Sequence, residues 1–163
     1  VTSVLQRTQQ DKGLAARLRR ADNPATEYQS WEFLADFGID LEHEAQRLPF
    51  AVVAAAMAKA KAAHNGSLKL GQAMAACYSD GAKSDQAKAK LRRVLACDDV
   101  PELCRILRPV LALIDSRVPQ PLDYVGLLQQ LHRFARDAQK IKSQWAQEFY
   151  GRTEEDSPTK EAA

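Results

Sequence analysis

The stretch DDVPELCRILRPVLALIDSR, Asp98–Arg117, decides how this chain folds. Leu103, Ile106, Leu107, Val110, Leu111 and Ile114 recur at spacings of three and four, which lines them along one side of a helix. Asp99 stands before this stripe as an N-cap, Pro101 falls in the first turn, and Glu102 occupies the capping-box position. Arg105 and Arg108 fall opposite the stripe, on the face expected to meet water. Pro109 lacks the N–H that a helix interior uses, so a kink or break is expected there. A helix with one apolar side needs partners to cover it.

The neighbouring segments supply them in the same helical period. Upstream, Asp85–Cys97 reads as a basic helix, SDGAKS (Ser79–Ser84) as a hinge, and SLKLGQAMAACYS (Ser67–Ser79) as a short helix. A long helix is expected from Leu48-Pro49 to His64, with Phe50, Val53, Ala54 and Met57 on a single buried face. Before it come a helix near Glu27–Phe37, the turn at Asn23-Pro24, and two short helices at Val4–Asp11 and Gly13–Arg20. Downstream, Pro119-Gln120-Pro121 leads into a helix over Leu122–Arg136, with a last one over Asp137–Tyr150. Its inward side is Ala138, Ile141, Trp145 and Phe149.

The expected fold is therefore all-α: seven to eight helices in two small lobes, 1–80 and 81–151, that share an interface. An acidic tail over 152–163, with no apolar side chain larger than alanine, is expected to be disordered. Composition agrees, since the 163 residues include only 7 glycines and 7 prolines and 45% are hydrophobic. No apolar run reaches the roughly 18 residues of a membrane span, and no secretory signal is visible, so the expected setting is the cytoplasm.

The net charge of +2 conceals an uneven distribution. Residues 1–82 carry 9 basic and 9 acidic side chains, residues 83–152 carry 13 and 8, and residues 153–163 carry 1 and 4. Asp22–Glu44 holds seven acids and no lysine or arginine, which suggests a face for a basic protein neighbour such as a second copy. Separated patches of this kind suit a polyanion partner.

Catalytic chemistry finds little support. His43, His64 and His132 are far apart, and EHEA lacks the second histidine of a zinc-protease helix. Cys97 and Cys104 do not form CxxC knuckles, and three cysteines define no disulfide framework. Asp98-Asp99 is explained by helix capping, and no glycine-rich phosphate loop is present. No enzyme activity, metal or cofactor is expected.

The cations are better organised. Arg17 and Arg20 flank the buried stripe of their helix, while Arg19 points to the opposite side. Lys88, Lys90, Arg92 and Arg93 wrap more than half of theirs, and Arg133, Arg136 and Lys140 would line up if their helix continued. Nothing resembles a set of base-reading side chains, so contacts would go to the phosphate backbone without sequence preference. The alternative is a helical protein–protein scaffold whose basic faces are merely solvated. A helix-turn-helix regulator would need a recognition helix, and none stands out.

Four stretches together resemble one family: LAARLRRADNP (Leu14–Pro24), SLKLGQAMA (Ser67–Ala75), the run from Lys90 to Phe134, and WAQEFYG (Trp145–Gly151). Their order and spacing are similar to the CasB family, the small subunit of the type I-E CRISPR Cascade surveillance complex. The resemblance implies a non-catalytic, all-helical subunit present in two copies beside other Cascade subunits. Its expected partners are single-stranded DNA and the guide RNA–target DNA hybrid, held so that the displaced strand of the R-loop is retained.

Carried onto this chain, the nucleic-acid-binding candidates are Arg17, Arg19 and Arg20 in the first lobe. Lys90, Arg92, Arg93, Arg105, Arg108, Arg133 and Arg136 are those of the second. Gln72 stands where the family usually has an arginine after Leu-Gly, so a contact there is expected to be absent or supplied by Lys69.

Overall fold

The computed structural model describes residues 1–151, and the tail expected over 152–163 lies outside the described residues. The fold is all-α, as expected. Its helices are α1 (Thr2–Gln10), α2 (Lys12–Arg20), α3 (Trp31–Asp36), α4 (Glu44–Lys59), α5 (Leu70–Ala76), α6 (Asp85–Leu95), α7 (Val100–Arg117) and α8 (Tyr124–Tyr150). Short 3-10 turns at Glu27–Ser30 and Gly81–Lys83 complete the path. Among the described residues there is no strand, only a parallel bridge between Leu68 and Leu122. The larger core joins Leu5 and Val52 to Leu107, Leu131 and Phe149, so it draws on both sides of residue 82.

The stripe of α7 is buried except at Ile106, which is half-buried, and Leu103 and Leu107 are fully covered. The Asp99 carboxylate accepts from the Glu102 backbone N–H at 2.8 Å, and Glu102 reaches back to the Asp98 N–H at 3.2 Å. Pro109 does not break this helix, which runs unbroken to Arg117. The proline is exposed, so the carbonyl that loses its partner can turn to water.

Two boundaries of α4 differ from expectation. It begins at Glu44, takes Pro49 inside its second turn, and ends at Lys59 rather than His64. Nor is its buried side a single face. Ala51, Val52, Val53, Ala54, Ala55, Met57 and Ala58 are all covered, because α2, α7 and α8 pack around it. Its alanines permit that close approach on several sides without filling space.

The last two expected helices meet where the sequence placed the join. Asp137 has non-helical dihedrals (φ −120°, ψ 26°) within α8. Beyond it the chain folds back. The Trp145 indole N–H donates to Gln130 Oε1 at 2.9 Å, although fifteen residues of straight helix would span about 22 Å. Phe134 and Trp145, both fully buried, stack across the bend with centroids 6.2 Å apart.

The segment after the bend packs on α5, and glycine sets their distance. The Gly71 N–H donates to the Glu148 carboxylate at 3.1 Å. Burial holds the Glu148 carboxyl above its ordinary value of 4.5, although the Gly71 N–H and the Lys69 charge pull the other way. The folded state therefore binds this proton more tightly than the unfolded chain. The resulting stability is full below about pH 4.5 and is lost as pH rises through the raised value. Glu148→Gln keeps an oxygen for Gly71 and removes the buried charge. Its melting temperature is expected to rise relative to the unaltered chain at pH 7 and to match it at pH 4. A lower melting temperature at pH 7 would show that attraction to Lys69 outweighs burial.

Candidate nucleic-acid interface

The acid-rich stretch Asp22–Glu44 is largely consumed inside the chain. Asp22 pairs with Lys59, Glu27 with Arg47 at 2.8 Å, Glu32 with Arg17 at 3.3 Å, and Asp36 with Arg7 at 3.6 Å. Glu44 adds a longer contact to Arg47, and Asp40 binds the His43 ring. The Glu27–Arg47 pair is buried beneath Trp31, whose indole N–H donates to Glu27 while its face covers the guanidinium. This stretch thus presents far less uncompensated charge to a second copy than its composition suggests.

The same pairing divides the arginines of α2. Arg17 is held by Glu32, and Arg20 donates to the Gln29 side chain at 3.1 Å. Arg19 faces the other way and lines a groove against α1 and the end of α4. The turn after α2 is fastened by Lys59 on Asp22, and by Thr26, whose hydroxyl donates to the Arg20 carbonyl at 2.6 Å. The trio therefore sits on a fixed helix end, with its members on two sides.

In the second half, Arg92 and Arg93 are exposed on α6 and have no ion-pair partner among the described residues. Lys90 is half-buried, and its charge and that of Arg117 both reach the Cys77 thiol, which burial pushes up. Arg117 donates to the Cys77 carbonyl at 3.2 Å and lies over the Tyr78 ring. Arg105 is exposed and only loosely paired with Glu102, at 4.0 Å. Arg133 and Lys140 share a groove of about 220 Å³ at the Asp137 bend, and Arg136 is exposed beside it. The line that Arg133, Arg136 and Lys140 would make on a continuous helix does not form, because the helix turns at Asp137.

Arg108 is the clear correction. It was expected on the exposed face of α7, yet it is 8% exposed and donates to the Ala21 carbonyl at 3.4 Å. Its Nε has no hydrogen-bond partner. The carbonyl of Ala21, the C-terminal cap of α2, reaches that face of α7 and takes up the guanidinium.

The Leu-Gly-Gln position is occupied by structural bonds. Gln72 accepts from the Lys69 N–H at 3.1 Å, closing the first turn of α5. The Lys69 ammonium is bound to Asp123 at 2.6 Å, and Asn65 donates to the same carboxylate at 3.0 Å. Burial alone would raise the Asp123 carboxyl, but these hydrogen bonds prevail and hold it low.

Cys77, Cys97 and Cys104 are buried, and burial pushes the Cys104 thiol up to about 12, so it is held as an unreactive thiol. His132 packs against Phe50 with the rings tilted by 58° and centroids 4.6 Å apart. Among the described residues no three His, Cys, Asp or Glu side chains are grouped to hold a metal ion, and no helix is long and apolar enough to cross a membrane.

Sequence reasoning missed Lys12, Lys61 and Arg117 as parts of the basic surface. Each was visible as a cation, but only the meeting of distant elements gives it a neighbour.

Comparison with known proteins follows the same outline. The crystal structure of M. ruber CasB superposes with a TM-score of 0.66 at 22% identity, over 86% of this chain and 85% of that one. CasB from Thermobifida fusca gives 0.63 at 22% identity, over 91% and 96%. These likenesses concern the fold. No curated protein matches the chain significantly by sequence. The family model for CRISPR-associated protein Cse2 matches residues 14–150, from the first turn of α2 to the end of the folded-back α8. With that span matched, the chain belongs to the CRISPR-associated protein Cse2 family.

Proposed function

We propose that this chain is a non-catalytic subunit of a cytoplasmic RNA-guided CRISPR complex that holds nucleic acid through its phosphate backbone. In this role it stabilises the guide–target hybrid and retains the displaced DNA strand. One observation carries the reading. The acids of the first half are spent on Arg7, Arg17, Arg47 and Lys59, whereas Arg92, Arg93, Arg133 and Arg136 have no ion-pair partner among the described residues. Uncompensated cations without base-reading neighbours suit a task in which pairing supplies the sequence and modest backbone contacts tip a nearly balanced duplex exchange. Two copies beside the other Cascade subunits fit the same reading.

A second reading, the protein–protein scaffold, is favoured by an apolar groove of about 270 Å³ beside Phe37, which is 44% exposed. Titration with single-stranded DNA at several salt concentrations separates them. Strand binding predicts an affinity that falls with salt at about −0.7 per neutralised phosphate on a log–log plot. The double variant R92Q/R93Q is expected to lower that slope by about 1.4 without changing the sequence tolerance. No binding even at low salt would leave the scaffold.

A further inference from the structure

We infer that the groove between α1, α2 and the end of α4 is a seat for a single nucleic-acid strand, gripped by Lys12, Arg19 and Lys61. This rests on the strand-binding reading above and assigns a surface separate from the one that carries Arg17 and Arg20. The groove encloses about 360 Å³. Its three cations come from α2 and from the residue pair after α4, and no carboxylate lines it. None of the three has an ion-pair partner among the described residues. Ala15, Ala58 and Ala62 form an apolar floor between them.

The geometry is held rather than incidental. Gln9 on α1 donates to the Ala63 carbonyl at 3.2 Å and so fastens the segment carrying Lys61 to the opposite wall. Lys61 itself adopts a left-handed conformation (φ 48°) immediately after the Ala60 cap. Glycine would take that position without strain; the left-handed turn there ends the helix and carries the Lys61 side chain to the groove.

The dimensions choose the ligand. Lys12 and Arg19 are seven residues apart on α2, or about 10 Å along its axis. At about 3.4 Å per nucleotide that length matches roughly three phosphates of a stacked strand. The alanine floor can take sugar edges while the cations meet phosphate oxygens. No aromatic or large aliphatic side chain lines the groove, so an acidic protein segment would find charge but no pocket for an anchoring residue.

The test uses the full chain and labelled oligothymidylate, with K12Q/K61Q compared against R92Q/R93Q and the unaltered protein. The groove predicts that K12Q/K61Q melts normally, binds roughly tenfold more weakly at low salt, and loses about 1.4 from the salt slope. If R92Q/R93Q weakens binding while K12Q/K61Q does not, the groove assignment falls and strand binding stands. If the unaltered chain binds no strand, both fall. DNA affinity untouched by K12Q/K61Q, together with polyglutamate binding that this variant abolishes, would make the groove a seat for acidic protein and overturn the assignment.

Discussion

Gly71→Ala is expected to lower the melting temperature by about 4–8 °C, although alanine is the better helix former. A methyl group at this position would lie 2.2 Å from the Trp145 carbonyl oxygen, 2.7 Å from Glu148 Cβ and 2.7 Å from the Phe149 nitrogen. Two of these are backbone atoms of α8 and cannot swing aside as a flexible side chain would. Relief requires α5 and α8 to separate, which loosens Leu70 and Met74 against Trp145 and Phe149 and stretches the Gly71–Glu148 hydrogen bond. Overpacking of this severity costs about 3 kcal/mol, against a gain of about 1 kcal/mol from helix propensity. The net loss of about 2 kcal/mol gives the stated shift for a chain of this size. Thermal unfolding followed by circular dichroism measures it, and an unchanged or higher midpoint would show that the two helices have room to spare.

That glycine illustrates which features were legible before the structure. Signals carried within one or two turns were readable: the Asp99 cap, the join of the last two helices at Asp137, the turn at Asn23-Pro24. Each is decided by neighbours in sequence. The environment of α4 was not, because alanine is compatible with a covered or an open face and four of the covered positions are alanine. The acidic stretch misled for a related reason. Asp22 meets Lys59 and Glu27 meets Arg47, partners 37 and 20 residues away that composition cannot assign. Among the candidate cations, helical phase correctly turned Arg19 away from Arg17 and Arg20. It could not show that Lys61 would join Arg19, since that depends on where α4 ends. The most serious displacement is that of Arg108, which helical phase put on the exposed face although it is buried and bound to the Ala21 carbonyl at the end of α2, 87 residues away.

Arg108→Glu is accordingly expected to destabilise the fold strongly rather than to weaken strand binding selectively. The guanidinium sits at the C-terminal end of α2, where backbone carbonyls make a cation favourable. A carboxylate there would face the Ala21 carbonyl with no donor in reach and would join Glu27, whose charge acts on the same buried Cys104 thiol. An uncompensated buried charge of this kind costs about 3–5 kcal/mol, a large share of the 5–15 kcal/mol that holds a typical domain together. The melting temperature should fall by more than about 6 °C, with loss of helical signal preceding any loss of DNA affinity. Arg108→Met separates charge from contact. Arg108 has no carboxylate partner and already leaves Nε unsatisfied, so an apolar side chain of similar length is expected to hold stability within about 1 kcal/mol. It should also bind single-stranded DNA as the unaltered chain does. Should R108M fold normally yet lose strand affinity, the guanidinium must reach the strand, and the burial of Arg108 under α2 would have to open in the bound state.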